Sequence, residues 1–258
     1  MFLSDLFSLE GRVAVVIGGG GVLAGEMELG FARAGAAVVI VDLNEEHARE
    51  RAEVVCQANG KAVVVQADAT SKADLERALD ATLLNFGRVD ILLNAAGLNS
   101  GTPFFEISEE EWSRILDVDL RSVFLACQVF GRQMVESGHG GSIINISSAS
   151  SGPPLSKVFT YSIAKAGVNQ ITQFLAREWA PYKVRVNAIL PGFFPAEQNR
   201  KLLTGERVAE ILHHTPMGRF GDAKELVAAA IYLASENASS FVTGAILRVY
   251  GGFGAMTI

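Results

Sequence analysis

The sequence has no uninterrupted apolar run of the roughly 18 residues that a membrane-spanning helix requires. Residues 1–10 include Asp5 and Glu10 and lack the basic start of a secretory signal, so we expect a cytoplasmic protein. Lys and Arg total 22 against 28 Asp and Glu, which gives a formal net charge of −6. Because a nucleic-acid surface needs a concentrated basic patch, this balance argues against a nucleic-acid partner, as the lack of long apolar runs argues against a membrane.

Residues that bind metals or form disulfides are also scarce. The two cysteines, Cys56 and Cys127, lie far apart in predicted helices, and we interpret them as buried thiols of a reducing compartment rather than a disulfide. His213 and His214 are adjacent, but no third ligand has the spacing of a metal site, so we predict no metal.

Hydrophobic residues make up 49% of the 258 residues, which is enough for a large core. Continuous apolar runs alternate with helical patterns along the whole chain, as is typical of parallel strands covered on both faces. This alternation predicts an α/β fold, with one doubly wound parallel sheet between two layers of helices in a single domain over residues 1–258. The predicted strands are Val13–Ile17, Ala37–Val41, Ala62–Gln66, Ile91–Asn94, Ser142–Ser147, Val184–Leu190 and Ile246–Val249. The predicted helices lie near residues 23–34, 45–58, 72–86, 108–136, 158–180, 198–213 and 222–235.

Four glycines, Gly18 to Gly21, follow the first predicted strand and precede a helix. Glycines at such a turn let the backbone approach a pyrophosphate, which then sits at the helix N-terminus. Asp42 closes the second strand, where a carboxylate can accept hydrogen bonds from an adenosine ribose and repel a 2′-phosphate. The sequence therefore predicts a nicotinamide dinucleotide site that prefers NAD over NADP. The alternatives are a tight turn without a ligand, and an Asp42 that only caps the next helix, although Asn44 fits that role as well.

Other strand ends point to the same crevice, because ligands of open α/β sheets collect at the carboxyl ends of strands. Asp68 follows the third strand, and Asn94 begins the NAAG string after the fourth. The predicted cofactor-binding residues are Gly18, Gly21, Val22, Leu23, Asp42, Leu43, Asp68, Ala69, Asn94, Ala95, Ala96, Tyr161, Lys165, Pro191 and Phe194.

Acid–base chemistry is predicted at Ser148, Tyr161 and Lys165. Ser148 is predicted to end the fifth strand, and Tyr161 and Lys165 are four residues apart on one helix, which puts phenol and ammonium on the same face. A nearby cation, together with the positive charge of an oxidised nicotinamide, stabilises the phenolate, so we expect a Tyr161 pKa below the usual value of about 10. The phenol can then exchange a proton near neutral pH while Ser148 holds the substrate oxygen. A surface helix pair is the alternative for the YxxxK spacing alone.

With these motifs, and with LPGFF and FVTGAILRVYGG further along, the chain resembles the short-chain dehydrogenase/reductase family over nearly its whole length. The resemblance implies a Rossmann-like domain, an NAD(P)-dependent oxidoreductase and a homotetramer. The strings GGGGVLAGEM, PGFFPAEQNR and PMGRFG are similar to the D-mannonate oxidoreductase and gluconate 5-dehydrogenase branch, which implies a sugar acid or polyol as small-molecule substrate.

Four positions depart from the family pattern. Ile17 stands where the family usually has Thr before the glycine turn, and Ala196 where a Thr contacts the nicotinamide carboxamide. Tyr250 replaces an Asp near the end of the chain. Asp119 stands where an Asn commonly completes the catalytic set, so we count it as a fourth catalytic residue whose charge shifts neighbouring pKa values. Because Ile17 and Ala196 each remove a hydroxyl, we expect these two changes to weaken cofactor binding without abolishing it.

The substrate lid is predicted over residues 191–220. A sugar acid needs a cation for its carboxylate and polar groups for its hydroxyls, and the candidates are Arg200 for the former and Asn99 and Gln198 for the latter, beside Ser148 and Tyr161. Two alternatives stay open. The substrate could be another carbonyl compound of the ketoacyl, steroid or quinone type, given the aromatic residues at 104, 105, 193 and 194, or the chain could be a cofactor-binding scaffold with weak activity.

Overall fold

A computed structural model describes residues 3–153, 155–195 and 204–255. Seven strands form one sheet in which every neighbouring pair is parallel, in the order β3-β2-β1-β4-β5-β6-β7. The strands are β1 (Val13–Ile17), β2 (Ala37–Asp42), β3 (Lys61–Gln66), β4 (Ile91–Asn94), β5 (Gly141–Ile146), β6 (Val184–Pro191) and β7 (Ile246–Val249). The predicted doubly wound parallel sheet is confirmed, and the strand order reverses between β1 and β4, where such folds bind their ligands.

Helices cover both faces of the sheet. They are α1 (Leu3–Leu6), α2 (Val22–Arg33), α3 (Glu45–Gln57), α4 (Lys72–Phe86), α5 (Glu109–Leu116), α6 (Ser122–Ala126), α7 (Arg132–Ser137), α8 (Phe159–Trp179), α9 (Gly205–His213), α10 (Val227–Ala234) and α11 (Glu236–Ser239). None of the helices in the described ranges is long and apolar enough to cross a membrane.

The period of two along each strand divides the core into two layers. Ala14 and Val16 of β1 belong to one buried cluster, together with residues of α2, α3 and α10. Val13, Val15 and Ile17 belong to the other, with residues of α4, α6, α7 and α8. Because both faces of β1 are buried, its sequence is a continuous apolar run, which is why the pattern predicted a parallel sheet.

The predicted helix over 108–136 contains two irregular turns. π-helical turns at Asp117–Arg121 and Cys127–Gly131 connect α5, α6 and α7. A π turn inserts one extra residue into the helix and is often found at functional sites. The first of these turns carries Asp119, and the amphipathic pattern of the sequence gave no sign of it.

The two cysteines predicted to be buried differ in exposure. Cys127 is buried as predicted, but Cys56 is exposed, because α3 buries only Ala48 and Val55 against the sheet. The apolar end of the chain packs on its own subunit as far as it is described. The rings of Phe253 and Phe193 are 5.1 Å apart, edge to face.

Candidate active site

A cavity of about 670 Å³ lies along the carboxyl ends of the strands. It brings together most of the residues predicted to bind a dinucleotide: Gly18, Gly21, Val22, Leu23, Asp42, Leu43, Asp68, Ala69, Ala95, Ala96, Tyr161, Pro191 and Phe194. It reaches from Asp42 at one end to Ser148 and Tyr161 at the other, so a single elongated ligand can join the glycine turn to the acid–base residues.

The glycine turn leaves its backbone open to this cavity. Gly18 has φ of +77°, and a Cβ there would stand 2.6 Å from the backbone of Ala96. A Cβ on Gly20 would stand 3.0 Å from the carboxylate of Asp42. Only glycine fits both positions, and the N-terminus of α2 follows at Val22. The turn therefore fits the pyrophosphate of a nicotinamide dinucleotide.

Asp42 does more than the sequence indicated, because its carboxylate holds the glycine turn in place. Its Oδ2 accepts a hydrogen bond from Gly20 N at 2.9 Å, and its Oδ1 accepts one from Asn44 N at 2.9 Å. The cap of α3 is Asn44, whose Oδ1 accepts from the N–H groups of Glu46 and His47. Asp42 is thus left to line the cavity rather than to cap the helix.

Asp68 and Asn94 have different surroundings. Asp68 lines the cavity, and its Oδ1 accepts from both N and Oγ1 of Thr70. Asn94 does not line the cavity. Its side-chain amide donates to Asn145 Oδ1 at 2.8 Å, and Asn145 in turn donates to Thr172 Oγ1 at 2.9 Å. This polar chain ties β4, β5 and α8 together beneath the site.

Ser148 and Tyr161 meet at the inner end of the cavity. Contrary to expectation, Ser148 does not end β5. The strand stops at Ile146, and Ser148 begins the short 3₁₀ turn Ala149–Ser151, where its Oγ accepts from Ser150 N at 3.2 Å. Tyr161 lies in the first turn of α8. Both residues line the dinucleotide cavity and a smaller one beside it.

Lys165 lies one helical turn beyond Tyr161 and is buried, as is Asp119. Its Nζ donates to Ile146 O at 3.1 Å, lies 3.2 Å from Asp119 Oδ1 and stands 5.5 Å from the centre of the Tyr161 ring. The other oxygen of Asp119 accepts from Leu98 N at 3.0 Å. The ammonium predicted to act on Tyr161 is therefore already paired with a carboxylate.

Burial and the charges of Lys165 and Asp119 determine the pKa of Tyr161. Burial raises the pKa of the Tyr161 phenol, and although Lys165 and the Ser148 hydroxyl act to lower it, Asp119 raises it further. The pKa of Tyr161 is therefore raised in the protein without cofactor, and the expected lowering, which includes the charge of an oxidised nicotinamide, stays a prediction. Burial opposes the charge of Lys165, but Asp119 and Tyr161 raise the pKa of its ammonium above the usual value. Lys165 is thus a firmly protonated cation.

The smaller cavity measures about 100 Å³ and opens beside Ser148 and Tyr161. Asn99, one of the predicted substrate residues, lines it, and its Oδ1 is buried without a hydrogen-bond partner among the residues described. Gln198 and Arg200, as well as Ala196, lie outside the described residues. The sequence analysis missed Arg207, which lines this cavity from α9. Its only sequence signal is its position within the predicted lid.

Glu28 is a second residue that the sequence analysis missed. It is fully buried in α2 beneath the glycine turn, and neither carboxyl oxygen has a hydrogen-bond partner in the part of the chain that is described. A Cβ on Gly19 would stand 2.9 Å from Glu28 Oε2. Burial raises the pKa of Glu28 to about 9, with Arg51 lowering it and Asp42 raising it. The carboxyl group is therefore neutral at pH 7.

The sequence and the fold are similar to those of known proteins. The family described as Enoyl-(Acyl carrier protein) reductase matches residues 23–254. The 2-dehydro-3-deoxy-D-gluconate 5-dehydrogenase of Escherichia coli is 36% identical, covering 96% of this chain and 97% of its own. The D-threitol dehydrogenase of Mycolicibacterium smegmatis is 35% identical over 96% and 94%. The structure of a gluconate 5-dehydrogenase from Burkholderia cenocepacia, in complex with NADP and tartrate, has a TM-score of 0.94 at 34% identity and covers 99% of this chain and 100% of that one. With the parallel sheet, the glycine turn and the Ser–Tyr–Lys group, these matches establish that the chain belongs to the short-chain dehydrogenase/reductase family.

Proposed function

We propose that this protein interconverts a secondary alcohol and a ketone on a sugar acid or polyol, with a nicotinamide dinucleotide as hydride carrier. The observation that carries the proposal is the position of Ser148 and Tyr161 at the meeting point of the two cavities. Relatives that act on a deoxygluconate and on threitol support the substrate class.

Each residue of the site has a role in this reaction. The bound cofactor supplies the hydride acceptor for oxidation and the donor for reduction. Ser148 Oγ holds the substrate oxygen by a hydrogen bond, and the Tyr161 hydroxyl accepts the alcohol proton or donates one to the ketone oxygen. Lys165 stabilises the phenolate by its charge. The Asp42 carboxylate lines the cavity, where it can accept hydrogen bonds from an adenosine ribose, and this supports a preference for NAD over NADP.

Replacement of Tyr161 by Phe tests this assignment. Because the phenol is the only predicted proton carrier, we expect Tyr161→Phe to reduce turnover by roughly 100- to 10,000-fold. NAD binding, measured by calorimetry, should stay nearly intact, because the ring remains. Tyr182→Phe removes a hydroxyl that is half exposed on the surface and serves as the matched control. A Tyr161→Phe enzyme with the wild-type rate would show that the assignment is wrong.

A different carbonyl substrate is the second candidate. It is favoured by the apolar side chains that line the smaller cavity, including Leu155, Val158 and Phe220. A panel of sugar acids, polyols and apolar ketones, followed by NADH fluorescence, separates the two. Turnover of the ketones alone would exclude the sugar-acid proposal.

The homotetramer implied by the family resemblance and the cytoplasmic location expected from the sequence stay predictions. Association of subunits is supported by aromatic side chains that remain exposed on the helices of one face: Phe124, Phe159 and Phe174 are 47%, 45% and 63% exposed. Apolar patches of this kind commonly mark protein interfaces.

A further inference from the structure

The smaller cavity has an uneven distribution of charge. Its lining combines apolar side chains with the polar groups of Asn99, Ser148, Ser150 and Tyr161. Arg207 is the one charged side chain among the described residues that line it. A cation that lines this cavity beside the acid–base residues attracts an anion that binds there.

Arg207 is held in place by neutral groups. Its Nη1 donates to Ser156 Oγ at 3.0 Å and its Nη2 donates to Ser156 O at 2.9 Å. No carboxylate in the described ranges lies within ion-pair distance of it. A guanidinium has five N–H donors, so three remain available after these two bonds. Its orientation is therefore fixed while its charge is uncompensated.

We propose that Arg207 binds the carboxylate of the substrate and makes the enzyme selective for sugar acids over neutral polyols. The inference rests on the proposed function, because it assumes that the carbon to be oxidised lies at Ser148 and Tyr161. A planar guanidinium can bind a carboxylate through two parallel hydrogen bonds, which fixes the orientation of the acid as well as its position. A neutral polyol gains no comparable charge-assisted bond. The sequence alone had indicated Arg200 for this role.

A purely structural role for Arg207 predicts different kinetics. If Arg207 only connects α9 to the loop at Ser156 by hydrogen bonds, its loss changes the shape of the cavity and lowers kcat/KM for every substrate alike. If it binds a carboxylate, its loss affects acids and spares polyols. The ratio of kcat/KM for an acid to kcat/KM for a polyol therefore distinguishes the two roles.

The experiment compares D-gluconate and D-threitol at saturating NAD, using the full chain and its Arg207→Gln, Arg207→Lys and Ser156→Ala variants. We expect Arg207→Gln to lower the gluconate-to-threitol ratio by roughly 10- to 100-fold, mainly through KM, and Arg207→Lys to retain part of it. Ser156→Ala is the matched control. It removes the bond to Oγ but keeps the cation, so the ratio should stay within about threefold.

Several outcomes would overturn the inference. An unchanged ratio in Arg207→Gln, with kcat/KM lowered for both substrates alike, would show that Arg207 has only a structural role. A drop of the same size in Ser156→Ala, which keeps the cation, would show that the ratio does not report the charge of Arg207. A large drop in Arg200→Ala without one in Arg207→Gln would move the carboxylate site to the other arginine. If Arg207→Gln fails to fold, Arg207→Lys decides the question. A wild-type enzyme that turns over threitol but no sugar acid would overturn this inference and leave the proposed function standing, whereas turnover of neither class would refute both.

Discussion

Replacement of Asp119 by Asn removes the negative charge beside Lys165 while keeping the shape of the side chain. Asp119 is fully buried, and its Oδ1 lies 3.2 Å from Lys165 Nζ. The carboxylate offsets the positive charge that would otherwise stabilise the Tyr161 phenolate. Since Asp119 raises the pKa of Tyr161, its neutral replacement lowers that pKa.

The distances give the size of the effect. Lys165 Nζ lies 5.5 Å from the centre of the Tyr161 ring. With an effective dielectric constant of about 20, a unit charge at this distance stabilises a phenolate by about 3 kcal/mol. Asp119 cancels part of this attraction, so we expect Asp119→Asn to restore on the order of half of it and to lower the pKa of Tyr161.

The assay is the pH dependence of kcat/KM in both directions. Alcohol oxidation needs the phenolate, so its rate rises with pH through the pKa of Tyr161. Ketone reduction needs the phenol, so its rate falls through the same pKa. Asp119→Asn should move both limbs to lower pH and raise the oxidation rate at neutral pH by roughly tenfold.

A matched control lies in the same π turn. Asp117 is about half exposed and pairs with Arg121 at 3.5 Å, so Asp117→Asn changes a carboxylate to an amide where solvent screens the charge. We expect no change in the pH profile of that variant. An unchanged or upward-shifted profile for Asp119→Asn would refute the electrostatic coupling. Thermal unfolding should accompany the kinetics, because loss of one partner of a buried ion pair also destabilises the fold.

Two further predictions concern the cofactor end of the site. Asp42→Ala should lower the ratio of kcat/KM with NAD to kcat/KM with NADP by roughly tenfold or more. The reason is that it removes both the ribose ligand and the repulsion of a 2′-phosphate. An unchanged ratio would exclude Asp42 as the residue that selects between the two cofactors. Glu28 has an unfolded pKa of 4.5 and a folded pKa of about 9, so its contribution to stability is complete below pH 4.5 and is lost as the pH rises towards 9. The expected slope is about 1.4 kcal/mol per pH unit within that window, measured by chemical denaturation. Glu28→Gln should remove this slope, whereas Glu26→Gln, on a partly exposed residue of the same helix, should leave it.

The fold could be predicted from the sequence because the apolar runs that mark its strands are local and recur along the chain. The seven strands were each predicted within one or two residues, since a parallel strand that is buried on both faces must be a continuous apolar run. The ends of these strands then predicted the crevice, and the glycine turn and Asp42 lie there. Asn94 shows the limit of this argument. Its position at a strand end was correct, but the direction of its side chain depends on Asn145, fifty-one residues later.

The electrostatics of the site could not be predicted in the same way. The spacing of Tyr161 and Lys165 placed phenol and ammonium together, but the net pKa shift depends on burial and on a carboxylate from another helix. Asp119 reaches Lys165 from a π turn, whose extra residue changes which side chains face the sheet. Arg207 lines the smaller cavity, and Ser156, from a distant loop, holds its guanidinium by hydrogen bonds. Such contacts between distant segments leave no periodic signal.

Glu28 and Asp119 are buried carboxyl groups near opposite ends of the cofactor cavity, and their partners decide how they act. Burial raises the pKa of Asp119, whereas Lys165 at 3.2 Å and the Leu98 N–H at 3.0 Å act to lower it, and the charge that they favour acts on Tyr161. Glu28 has no hydrogen-bond partner among the described residues, so burial keeps it protonated and its effect falls on stability. A negative charge at Glu28 would also lie directly beneath the turn that is to hold a pyrophosphate. The loss of stability therefore builds up between pH 4.5 and about 9, while Glu28 stays protonated in the fold, whereas we expect cofactor binding to weaken only above about pH 9, where Glu28 ionises.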